Sequence, residues 1–176
     1  MPIVPKVNGL GDRNAKKHIM KITITGVAGF IGSNLCIALL ENGHSVVGVD
    51  NMSQGCKQNL EDFSTHPNFE IHEIDVQDEA SILNITEGSD VIVHLAAFKI
   101  PRYSDALDTL LINSHGAESV AKAAIAHNAK VVAASTSDVY GKNRELPFSE
   151  TSDLVMGSPD VKRWAYAISK MFDEQL

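Results

Sequence analysis

Short runs of β-branched and other apolar residues alternate along this chain with longer amphipathic or alanine-rich stretches. The short runs fall at Lys21–Thr25, Ser45–Val49, 69–74, 90–94 and 130–134. Apolar runs of that length, bounded by turn residues, predict strands buried on both faces. Between them, Phe30–Glu41 predicts a helix with Ile31, Leu35, Ala38 and Leu39 on one face and a stop at Asn42-Gly43. Further helices are predicted over 104–127, 160–176 and, more briefly, 79–86. Strand–helix alternation implies right-handed crossovers, hence a parallel α/β sheet with helices on both faces. The stretch 141–161 holds Pro147, Gly157 and Pro159 among few apolar residues, and reads as a long surface loop of a kind that often serves function. Residues 1–19 carry lysines but no apolar h-region, and read as a mobile extension ahead of a domain over 20–176 rather than as a secretory signal.

Composition narrows the partners. With 44% hydrophobic and 21% charged residues, the 176-residue chain can bury the core of one domain. A net charge of -7 argues against nucleic acid, which needs a basic surface. It leaves room for a phosphorylated small molecule held by backbone N–H groups. No apolar run approaches the ~20 residues of a membrane span. Cys36 and Cys56 fit no zinc or redox spacing, so two reduced thiols in a cytoplasmic protein are expected. The seven histidines are scattered, and no metal site is predicted.

Candidate chemistry begins where the first strand runs into Gly26-Val27-Ala28-Gly29-Phe30-Ile31-Gly32 and then directly into a helix. Glycines here permit a tight turn, let the backbone approach a pyrophosphate and allow the helix to pack closely on the strand. The helix N-terminus adds unpaired N–H groups and a positive dipole end. The second strand ends in Val49-Asp50, where a carboxylate can accept from the adenosine ribose hydroxyls and repel a 2′-phosphate, which argues for NAD over NADP. Downstream, Tyr166 and Lys170 stand four apart on a predicted helix. A nearby ammonium favours the phenolate and would make Tyr166 a usable base. Ser135-Thr136-Ser137-Asp138 follows the fifth strand, at the edge of a doubly wound sheet where ligands bind.

The Gly-x-x-Gly-x-x-Gly spacing, with Gly29-Phe30-Ile31-Gly32 and then Val49-Asp50-Asn51, resembles the extended short-chain dehydrogenase/reductases, the NAD-dependent nucleotide-sugar epimerases and dehydratases. The resemblance runs from Lys21 to Leu176, about the first half of a family member. It implies a Rossmann-type doubly wound parallel sheet in the order 3-2-1-4-5, lacking the last strands and the substrate domain. It implies a cofactor site built from Gly26, Gly29, Phe30, Ile31, Gly32, Asp50, Asn51 and Ser53, from Asp75 and Val76 around the adenine, and from Leu95, Ala96, Ala97 and Lys99. Asn113, Ser135, Tyr166 and Lys170 complete it, and His115 stands where asparagine is more usual.

For chemistry the resemblance implies Thr136 as the hydroxyl beside the sugar and the tyrosine, Tyr166 as base and Lys170 as its partner. Asp138 is either a second acid/base or a solvated loop residue, because dehydrating and decarboxylating members tend to carry glutamate there. The implied partner is a nucleotide-diphosphate sugar, epimerised through a 4-keto intermediate. A 4,6-dehydratase or a UDP-glucuronate-type decarboxylase is the alternative, and the segment 153–157 with Arg163-Trp164-Ala165-Tyr166 looks more like the decarboxylases and their epimerase relatives. The two long helices imply a homodimer through a four-helix bundle. A chain of this extent is expected to turn over poorly on its own and, through an open fifth strand, to associate. Two rival classes remain: a non-catalytic NAD-binding module, and a scaffold whose long helices form an interface.

Overall fold

The computed structural model describes residues 18–99 and 106–176. Five strands, β1 (Lys21–Thr25), β2 (Ser45–Val49), β3 (Phe69–His72), β4 (Val91–His94) and β5 (Lys130–Ala133), form one parallel sheet in the order β3-β2-β1-β4-β5. The helices are α1 (Phe30–Glu41), α2 (Glu79–Ile85), α3 (Ala106–His127) and α4 (Trp164–Gln175). The predicted order and every predicted strand are present, each strand within two residues of its expected bounds. The expected extension over 1–19 and the start of the helix expected from Ser104 lie largely outside the described residues.

Burial follows from the alternation of the parallel strands. One apolar cluster joins Ile22, Ile24, Val46 and Val93 to Cys36 and Leu40 of α1. A second joins Val49 and Ile92 to Ile82 of α2 and to Val120, Ala123 and Ala124 of α3. Helices therefore cover the two faces of the sheet, as a doubly wound fold requires. The α1 helix stops as expected: Gly43, at φ +81°, lets His44 N–H reach back to the Leu39 carbonyl at 3.1 Å. Its buried face does not match expectation. Gly32, Ser33, Cys36 and Leu40 are buried, whereas Ile31 is 63% exposed and Leu35 and Leu39 are half-buried. The helix is rotated by about one residue because Gly32 lies so close to β1 that a Cβ there would stand 2.2 Å from the Gly26 carbonyl oxygen.

α2 begins at Asp78, whose carboxylate caps Ser81 N–H at 3.1 Å. α4 begins later than the 160 expected. Residues 158–164 bond one residue tighter than an α-helix, Val161 N–H to the Ser158 carbonyl and Trp164 N–H to the Val161 carbonyl, before α-helix starts. The stretch 141–161 is the predicted long loop, but an ordered one. Lys142 N–H donates to the Val155 carbonyl at 2.7 Å and Asn143 Nδ2 to the Asp153 carbonyl at 2.9 Å, which ties its two limbs together. β5 is the sheet's edge, and all four of its residues are exposed.

Candidate active site

The C-terminal ends of β1, β2 and β4, with the segments that follow β3 and β4, surround one cleft. It is lined by Gly26, Gly29, Asp50, Asn51, Ser53, Asp75, Val76, Leu95, Ala96 and Ala97, ten residues that the sequence assigns to a dinucleotide. Gly26 makes the turn at φ +76°, where an added Cβ would lie 2.7 Å from Ala96 N. Gly29 precedes α1 in extended conformation with no side-chain cap, so the first N–H groups of the helix have no capping side chain. Phe30 and Ile31 are exposed beside this turn, and Gly32 is buried beneath it.

Asp50 is buried and ties β2 to the glycine turn: one carboxylate oxygen accepts from Ala28 N–H and the other from Met52 N–H, each at 2.9 Å. Asn51 donates to Asp75 at 2.8 Å and accepts from Ser53. Burial pushes the Asp75 carboxyl up, but hydrogen bonds from Gln77 and Asn51 together outweigh it and hold the group below its usual pKa. Small residues, exposed N–H groups and an acid at the end of β2 are what a dinucleotide's diphosphate and adenosine ribose require. The residues present fit NAD. The cleft also takes in Phe98, and Gln54, Gly55 and Ile112, which the sequence reading missed. An added Cβ at Gly55 would meet Asp50 Oδ1 at 2.7 Å, a closeness that depends on the fold rather than on any local pattern.

The strip after β4 leads from this cleft to a second group of residues. Leu95 to Phe98 line the cleft, and the Lys99 ammonium stands 5.8 Å over the Tyr166 ring. Asn113 braces this strip from α3. Its Oδ1 accepts from Phe98 N–H at 2.7 Å and its Nδ2 donates to Ser169 Oγ at 2.9 Å, so its amide is engaged within the protein. Thr136 caps the 3-10 turn Ser137–Tyr140, accepting from Asp138 N–H at 3.2 Å. Ser135 donates to Glu174 of α4. Asp138 pairs with Arg163 at 3.3 Å, and Arg163 lies over the Trp164 ring. Among the described residues no hydrogen bond joins Thr136 to Tyr166.

The Tyr166–Lys170 pair departs from expectation. Lys170 is buried and its ammonium bonds Asp173 Oδ2 at 2.8 Å, not the phenol. Burial, then the charges of Asp138 and Asp173, raise the Tyr166 pKa above its ordinary value. The helix places both side chains on α4 as the spacing predicted, but an acid three residues beyond Lys170 takes its charge. His94, at the end of β4, is also buried. Its Nδ1 bonds Thr25 Oγ1 at 2.8 Å, Nε2 has no partner, and burial with the nearby Lys170 charge lowers its pKa to about 3. Cys36 is buried and its thiol is pushed up to about 12 by burial, whereas Cys56 is exposed.

Comparison with known proteins places this geometry. Residues 22–176 match the NAD dependent epimerase/dehydratase family. Among curated proteins, the UDP-N-acetyl-alpha-D-glucosaminuronate decarboxylase of Bacillus cytotoxicus is 37% identical over 155 residues, 87% of this chain and 47% of that protein. UDP-glucuronic acid decarboxylase 1 of Xenopus tropicalis is 37% identical over 148 residues, 83% of this chain and 33% of that protein. Among solved structures, the Bordetella bronchiseptica enzyme WbmG in complex with NAD and UDP matches with TM-score 0.78 and 28% identity, over 90% of this chain and 49% of that one. The UDP-Glc/GlcNAc 4-epimerase of Campylobacter jejuni matches with TM-score 0.79 and 28% identity, over 89% and 47%. The chain thus spans half or less of the length of these relatives. By the match across the sheet, the glycine turn and α4, this chain belongs to the NAD-dependent epimerase/dehydratase family.

Proposed function

We propose that this chain is the cofactor-binding part of an NAD-dependent nucleotide-sugar epimerase that works through a 4-keto sugar. One observation carries the reading: Gly26, Gly29 and Asp50 share a single cleft, with Asp50 holding the glycine turn by a 2.9 Å bond to Ala28 N–H. In this reading the N–H groups at the start of α1 hold the diphosphate and Asp50 the adenosine ribose, while Asp75 and Val76 border the adenine. Bound NAD supplies a reversible hydride acceptor for sugar C4. Tyr166 takes the proton from the 4-hydroxyl, with Thr136 hydrogen-bonded to the same oxygen; Lys99 stands over its ring, and Lys170 is the cation one turn on that can stabilise the phenolate.

Decarboxylation of a UDP-linked sugar acid is the second reading. It is favoured by two decarboxylases at 37% identity and by Asp138, whose charge reaches Tyr166 from beside Arg163. The same surface suggests a homodimer through α3 and α4, since Ile168 and Phe172 expose one apolar stripe of α4. Calorimetry with NAD on the purified chain tests the core of the proposal. NAD binds, and Asp50→Asn weakens it at least about tenfold, because a charged acceptor for the ribose is lost. Absence of affinity for adenine dinucleotides in the unsubstituted chain, with a cooperative thermal melt, rules the reading out.

A further inference from the structure

α4 carries a buried ion pair that its sequence spacing did not announce as functional. The Lys170 and Asp173 side chains are only 2% and 5% exposed, and Nζ lies 2.8 Å from Oδ2. The other carboxylate oxygen, Asp173 Oδ1, is buried without a hydrogen-bond partner. A carboxylate left half-satisfied in the interior is costly, so its one cation is strongly held. Lys170 is close enough to His94, on β4, for its charge to oppose protonation of that ring. Among the described residues no hydrogen bond joins Lys170 to the phenol of Tyr166, one turn before it on the same helix, while both Asp138 and Asp173 disfavour ionisation of that phenol. Lys99 is the cation over the Tyr166 ring. Among the described residues, the other groups around this cluster are Asn113 from α3, Glu174 on α4 itself and Arg163, which is engaged by Asp138.

We propose that Asp173 is a positioning residue that captures the Lys170 ammonium, so that Lys170 acts on the Tyr166 phenol only when this buried pair opens. The inference rests on the reading of Tyr166 and Lys170 as the chemical pair. It adds that the pair is rationed by a third member of the same helix. Competition between one ammonium and two acceptors has a defined signature. Removing the carboxylate frees the charge for the phenol, so the effect of removing the lysine depends on whether the carboxylate is present.

The test is a titration of the tyrosines in the chain labelled with 13C at tyrosine Cζ, read by NMR without cofactor or substrate. Tyr166→Phe assigns its signal among the three tyrosines. In the unsubstituted chain Tyr166 ionises above the ordinary value of about 10. Asp173→Asn lowers that midpoint by about one pH unit, and Asp173→Ser does the same. Asp173→Glu keeps it near the starting value. Lys170→Met shifts the midpoint more in the Asp173→Asn background than alone. A Tyr166 midpoint below about 10 in the unsubstituted chain overturns the proposal without any variant. So does an equal effect of Lys170→Met in the two backgrounds. Either result can arise while NAD still binds, so failure here is distinct from failure of the functional reading.

Discussion

His94 shows how far one residue's chemistry is set by its surroundings. The ring sits at the inner end of β4 with Thr25 on Nδ1 and nothing on Nε2, and a charged Lys170 close by. Burial and that charge both oppose protonation, so the folded chain keeps His94 neutral until about pH 3. The unfolded chain takes up the proton near pH 6.5. Because the unfolded state binds more protons between those values, stability is complete above about pH 6.5. It is lost at up to about 1.4 kcal/mol per pH unit as the solution is acidified. Chemical denaturation at a series of pH values should therefore show His94→Asn losing less stability than the unsubstituted chain between pH 6.5 and 4. Parallel losses in the two proteins would remove His94 from the account. A histidine ending a β-run is plain in the sequence. Its neutrality is not, because that depends first on burial and then on Lys170, 76 residues away in the chain.

Among the elements, the β1–α1 unit binds three glycines with three separable duties. At Gly32 an added Cβ would meet backbone at 2.2 and 2.8 Å, so the helix itself must shift. At Gly29 the nearest atom is 3.2 Å away, and the backbone is extended. Gly32→Ala should cost about 3 kcal/mol in urea denaturation, as overpacking of a close helix–strand contact does. Gly29→Ala should change stability by less than about 1 kcal/mol, yet weaken NAD at least about tenfold by standing where the diphosphate meets the backbone. Equal effects of the two on stability would contradict this division. The turn and the close contact were legible in the sequence. The rotational phase of α1 was not: the apolar positions pointed to Ile31 and Leu35, while the close contact at Gly32 turned Cys36 and Leu40 inward. α4 repeats the point, since its Tyr166 and Lys170 spacing predicted a meeting, whereas the Lys170 ammonium bonds Asp173.

At the scale of the molecule, the described surface leaves two regions open. β5 ends the sheet with Val131 and Val132 exposed, and α4 exposes Ile168 and Phe172 one turn apart. A helix stripe of that kind buries readily against its symmetry mate, and the proposed dimer uses it. Light scattering should give a dimer for the unsubstituted chain and a monomer for Ile168→Glu/Phe172→Glu. A dimer that survives both changes would move the contact to the β5 edge.

The sequence by itself determined the strands, their alternation with helices and the glycine turn with its acid, because each depends on neighbours within a few residues. Strand order and cofactor cleft were legible only through resemblance; the fold has that order, and it gathers ten of the assigned residues around one cleft. Tertiary structure alone decided which way α1 faces, that Asn113 is spent on Phe98 and Ser169, and that Lys170 is held by Asp173. Those outcomes turn on distances between elements and on burial, which raises or lowers the cost of a charge. Neither quantity is carried by spacing along a chain.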